Sequence, residues 1–192
     1  MKKKPIYKIC KDSKAIVLMN KVTDDGTIYE QWIGDGHAAY LHENMPIYDT
    51  HTAPELLDLP KEKKENFNVA VKIINSDELF ADERLESDIP MKKSEHVFDG
   101  YITFTTDNSG YTKHLERTVF VDYDYTRPLI DKDEMISWYC RRVNGKEAII
   151  AADGFILKAV ILPVKFECST LSRNRLEWLE TVVAELRMEV TE

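Results

Sequence analysis

Along this chain, apolar and polar positions alternate in short stretches, and glycine-containing pairs interrupt the stretches at intervals. Lys14 to Val22 is apolar-rich, Asp25-Gly26 marks a turn, and Thr27 to Ile33 is dense in β-formers. Asp35-Gly36 marks the next turn, and His37 to Leu41 can return beside its predecessor, which is the pattern of a meander. Ile28, Glu30 and Trp32 fall on one side of the second stretch, with Tyr29, Gln31 and Ile33 on the other. Asn68 to Ile74 predicts a further strand, in which Val69, Val71 and Ile73 alternate with Ala70, Lys72 and Ile74. Gly100 to Thr106 and Leu115 to Tyr125 predict a hairpin around Asn108-Ser109-Gly110. Asn144-Gly145 is the strongest turn signal, flanked by Met135 to Val143 and Lys146 to Ala152 as paired strands. A helix over 132–142, capped by Asp131 and Glu134, competes with the first of these. The β-formers Ile136, Trp138, Tyr139 and Val143 favour the strand. Asp153-Gly154 then turns into Phe155 to Phe166, where Pro163 confines the strand end to an edge or bulge.

Two segments carry helical signals. Thr52-Ala53-Pro54-Glu55 reads as a helix start with Leu56, Leu57 and Leu59 on its apolar face, and Pro60 stops it, so a short helix near 53–59 is expected. Near the C-terminus, Leu176, Leu179, Val183, Leu186 and Val190 step by three and four and form one apolar stripe behind an Asn174–Glu177 capping box. The expected fold class is therefore α+β: a β-rich, largely antiparallel meander with a C-terminal amphipathic helix packed on the sheet.

The 192 residues predict one domain, 1–192. Apolar residues at 43% and charged residues at 31% are globular proportions, not those of a disordered chain. No apolar run approaches the ~20 residues of a membrane helix. Cys10, Cys140 and Cys168 are odd in number and widely spaced, which fits reduced thiols in a cytoplasm. The net charge of −8 argues against wide nucleic-acid binding. It is unevenly distributed. Residues 1–14 carry six lysines against one aspartate, and 1–13 reads as a basic N-terminal arm that solubilises the chain. Residues 76–95 read as an acidic loop, its 76–88 part carrying Asp77, Glu78, Asp82, Glu83, Glu86 and Asp88 against Arg84 alone.

Three constellations could carry chemistry. In the 31–40 hairpin, Trp32 and Tyr40 could stack a planar ligand, with Asp35 and His37 as acid–base partners. Turn chemistry alone accounts for every one of these residues except His37. His37, His42 and His51 lie near Glu43 and Asp49, but their spacing fits neither a helical face nor a strand face, so no metal and no cofactor is expected. Asp122 and Asp124 would share one face of a strand about 7 Å apart, the ordinary acidic side of a half-exposed strand. No phosphate-binding loop, GxSxG or kinase motif is present.

Gln31-Trp32-Ile33-Gly34-Asp35-Gly36 through Tyr40, and Ala151-Ala152-Asp153-Gly154-Phe155 through Pro163, resemble segments of small uncharacterised proteins encoded by phages and prophages of Gram-positive bacteria. The resemblance implies a bacterial cytoplasm as the setting and carries no catalytic residues with it. The expected function is a non-enzymatic interaction protein, a counter-defence inhibitor being one form. It would meet a protein partner through an acidic surface of Asp77, Glu78, Asp82, Glu83, Glu86, Asp88, Asp122 and Asp124, and a homodimer is compatible with it. The alternatives are a small-molecule, nucleotide-like binding protein or simple enzyme using Trp32, Asp35, His37 and Tyr40, and a virion or tail-assembly component.

Overall fold

The computed structural model describes residues 2–43, 45–57, 67–110, 114–130 and 135–164. The chain opens with helix α1 (Lys3–Ser13) and continues through β1 (Ala15–Val22), β2 (Ile28–Gly34) and β3 (Ala38–Leu41). The 3₁₀ turn η1 (Ala53–Leu57), strand β4 (Asn68–Ile73) and the 3₁₀ turn η2 (Glu78–Phe80) follow. Next come β5 (Ile89–Phe98), β6 (Tyr101–Thr106), β7 (Thr118–Asp122) and the 3₁₀ turn η3 (Tyr123–Leu129). The described chain closes with β8 (Ile136–Val143), β9 (Lys146–Asp153) and β10 (Ile156–Ile161). Among the described residues, ten strands form one sheet in the order β4-β1-β2-β3-β10-β9-β8-β5-β6-β7. The architecture is α+β and β-rich.

The sheet is not a simple meander. β4 runs parallel to β1, with Ile16 opposite Val69 and Leu18 opposite Val71. β3 finds its second neighbour in β10, Tyr40 lying opposite Ala159. The far end of the sheet curls back as well: beyond β10, the Val164 N–H donates to the Phe120 carbonyl of β7 at 2.8 Å. The turns at Asp25-Gly26, Asp35-Gly36, Asn144-Gly145 and Asp153-Gly154 are where the sequence places them, and a further one lies at Asp99-Gly100. At Asn144-Gly145 both residues have positive φ, 49° and 75°, the conformation that a two-residue hairpin between right-twisted strands requires.

Alternation along the central strands divides the core in two. Ile16, Leu18, Ile33, Tyr40, Ile149, Ala151, Ala159 and Ile161 face one side of the sheet, where α1 closes over them. Val17, Met19, Trp32, Leu41, Ala148, Ile150, Leu157 and Val160 face the other, under Leu79 and Phe80 of η2. Because both faces are covered, the middle strands read as continuous apolar runs.

Several expectations require correction. Residues 3–13 are not a loose basic arm but a helix, with Ile6, Ile9 and Cys10 buried at positions i, i+3 and i+4. Its first turn holds no acid and its N-cap makes no side-chain hydrogen bond, so docking of its apolar stripe, rather than capping, holds it in place. The 76–95 segment contains the single helical turn η2, but its residues from Ile89 onward belong to β5 rather than to a loop. The expected 53–59 helix is a 3₁₀ turn over Ala53–Leu57. Asp124 lies in η3 rather than beside Asp122 on a strand face. The expected C-terminal helix and Cys168 lie outside the described residues.

Candidate functional site

The site begins with a glycine. A Cβ on Gly34 would lie 1.7 Å from the Ala38 carbonyl oxygen, so only glycine lets β2 turn so tightly into β3. The turn is sealed by Asp35, whose Oδ1 accepts the His37 and Ala38 N–H groups at 2.9 and 3.1 Å. Its other oxygen accepts the Tyr125 hydroxyl of η3 at 2.9 Å. Tyr40 donates its hydroxyl to the Tyr125 carbonyl at 2.7 Å, and the Cys10 thiol of α1 donates to the Gly34 carbonyl at 3.4 Å. Hairpin, η3 and α1 are thus tied at one point.

Above that point lies a cleft of about 710 Å³, with α1 on one side and Asp35, Asp122, Asp124 and Tyr125 on the other. Asp122 starts η3 by accepting the Asp124 N–H at 2.9 Å. Asp124 pairs with Arg127 at 2.9 Å and with Lys8 of α1 at 3.7 Å. Lys8 also reaches Asp12 at 3.6 Å. Lys2 and Lys4 complete the basic side, and Pro5, Ile9 and Ile130 give the cleft apolar walls.

Asp35 is only 8% exposed, and its charge shapes its surroundings. Burial first and Asp35 second push the Cys10 thiol up to about 12. The same two causes raise the Tyr125 and Tyr40 phenols above their ordinary range. Cys10 is therefore a protonated, packed thiol at neutral pH rather than a nucleophile, and Tyr125 remains a hydrogen-bond donor.

The sequence-predicted ligand residues separate. Trp32 is fully buried on the opposite face of the sheet, its ring edge-on to Phe80 at 5.2 Å and its indole N–H donated to Glu30 at 2.8 Å. It cannot stack a ligand with Tyr40, which is itself fully buried beneath the cleft. His37 is exposed, and its ring lies parallel to that of Tyr125 at 6.5 Å. Of the four, Asp35 lines the cleft and His37 stands beside it, while Asp122 and Asp124 join them from the predicted acidic set. Sequence reasoning missed Tyr125, Arg127 and the α1 lysines. The spacing of Ile6, Ile9 and Cys10 was the available signal for a packed helix there.

The remaining acidic residues lie with η2, which covers the other face. Asp88 is not a surface group. It is 2% exposed and holds Arg141 through two bonds, at 2.9 and 2.7 Å. Arg141 also donates to the carbonyls of Glu78, Leu79, Ala81 and Glu83, which fixes the path of the segment. Asp77 caps η2, and the buried Lys21 ammonium donates to both Asp82 oxygens and pairs with Glu30 at 2.8 Å. Glu78, Glu83 and Glu86 remain exposed.

Among the described residues, no group of three or more His, Cys, Asp or Glu side chains is arranged to hold a metal ion. Nor is any helix among them long and apolar enough to cross a membrane. No protein-family model, curated protein or solved structure matches the chain.

Proposed function

We propose that the protein binds a small polar molecule in the cleft between α1, the 35–37 turn and η3. The observation that carries this is the convergence of Asp35 with Asp122, Asp124 and Tyr125, from two stretches nearly ninety residues apart, on one cleft faced by the α1 lysines. Its volume lies within the roughly 300–1,000 Å³ of ordinary small-molecule sites, and its lining is mostly charged, with Pro5, Ile9 and Ile130 as the apolar part. The surrounding ties favour binding over covalent catalysis, because they hold the thiol and phenols protonated. A thermal-shift panel of nucleotides, sugar phosphates, dicarboxylates, amino acids and short peptides tests the reading. At least one compound should raise the melting temperature saturably by mass action. Ser13→Trp, which intrudes on the cleft, should abolish that rise. An unresponsive panel, or a rise that survives Ser13→Trp, overturns the reading.

A second reading is favoured by the Arg141 clamp. It fixes the backbone at Glu78 and Glu83, with the exposed Glu86 between them and the Asp88 anchor, a suitable surface for a basic protein partner in the phage or prophage setting that the sequence resemblance implies. Capture of such a partner should weaken steeply with salt and be lost in a Glu78→Lys, Glu83→Lys, Glu86→Lys variant. Capture that is indifferent to both rules this reading out.

A further inference from the structure

We infer that the ligand of the cleft is a zwitterion with an apolar body, a short free peptide being the simplest case, its ammonium held by Asp35 and Asp122 and its carboxylate by Lys2 and Lys4. This rests on the cleft being the binding site. Lys8, Arg127, Asp12 and Asp124 neutralise one another within the cleft wall. The other four charges do not. Among the described residues, no carboxylate lies within ion-pair reach of Lys2 or Lys4, and no cation lies within that reach of Asp35 or Asp122. Asp35 is the decisive one of these. A buried carboxylate is costly without a counter-charge, and three neutral donors hydrogen-bond it without neutralising it. A ligand ammonium entering beside the Tyr125 ring supplies that charge and meets the electron-rich face of the ring.

The opposite end of the ligand follows from position. Lys2 and Lys4 are exposed residues of the α1 side, so the anionic group faces outward and stays partly hydrated. Between the two ends, Pro5, Ile9 and Ile130 offer apolar wall and no charge. A purely anionic compound such as a sugar phosphate would satisfy the lysines but set its other end against uncompensated carboxylates. A purely cationic amine would leave the lysines without a partner.

Calorimetric titration with trialanine, N-acetyl-trialanine and trialanine amide tests the inference. Trialanine should bind saturably, and each capped form should bind at least about tenfold more weakly, since a charge-assisted contact is lost. Asp122→Asn keeps the side-chain oxygen that starts η3 but removes its charge, so it should weaken trialanine and shrink the penalty for acetylation. Lys4→Gln should do the same for the amide. Capped peptides that bind as well as trialanine overturn the inference. So does a panel in which trialanine fails but an anion or neutral compound binds in a Ser13→Trp-sensitive way, although the cleft reading then stands. If nothing binds at all, both fall.

Discussion

Arg141 shows what a complete set of partners is worth to a single buried side chain. It sits in a strand that its neighbours would make apolar, yet its five donors all find oxygen. Truncating it leaves Asp88 charged and buried without a counter-ion. Arg141→Met should therefore cost about 3–5 kcal/mol in urea unfolding. His42 is the contrasting case. Burial, with Lys3 adding to it, holds its imidazole down to about 4, and among the described residues its Nδ1 finds no hydrogen-bond partner. The unfolded chain takes up this proton near its ordinary value of about 6.5. The stability associated with neutral His42 is thus complete above that value and is lost as pH falls from about 6.5 towards 4. His42→Gln should flatten the pH dependence of the urea midpoint across that window. An unchanged slope would show that other groups govern it.

Among the elements, the 31–41 hairpin and η3 depend on each other. Tyr125→Phe removes a donor from a buried carboxylate and should cost about 1.5–3 kcal/mol by denaturation. Gly34→Ala drives a methyl into the Ala38 carbonyl and should cost roughly 4 kcal/mol or more. Gly26→Ala, at a turn with open space but φ of +84°, should cost only about 1–2 kcal/mol. The hairpins at Asp25-Gly26, Asp35-Gly36, Asn144-Gly145 and Asp153-Gly154 were legible because turn chemistry is local. β5 was not legible: past Met91 its residues are mostly half-exposed or exposed, so it lacks a clean apolar face. The short pair Asp99-Gly100, with φ of 48° and 82°, closes its hairpin and was the overlooked signal. α1 was hidden by its lysines, because its charge density outweighs an apolar stripe of only three residues, Ile6, Ile9 and Cys10. The cleft was only partly legible. Asp35, Asp122 and Asp124 stand out in the sequence, but their meeting depends on how η3 folds back across the sheet, which no local pattern encodes.

At the scale of the whole molecule, stability should be graded across the sheet. β3, β10 and β9 are buried on both faces, whereas β4 lies at an edge with Val71 and Ile73 exposed. Native-state hydrogen exchange should show β4 amides opening first and those of β9 and β10 only with global unfolding. Uniform exchange across all strands would contradict this gradient. The position of β10 has a further consequence for synthesis. Ala38 to Tyr40 pair with residues 159–161, so the first three strands emerge from the ribosome roughly 120 residues before the neighbour that completes them. At ordinary translation rates that interval is on the order of ten seconds. During it the nascent N-terminal half presents a bare, apolar strand border, and chains cut short before 156 should accumulate as chaperone-bound or aggregated material rather than as a smaller folded unit.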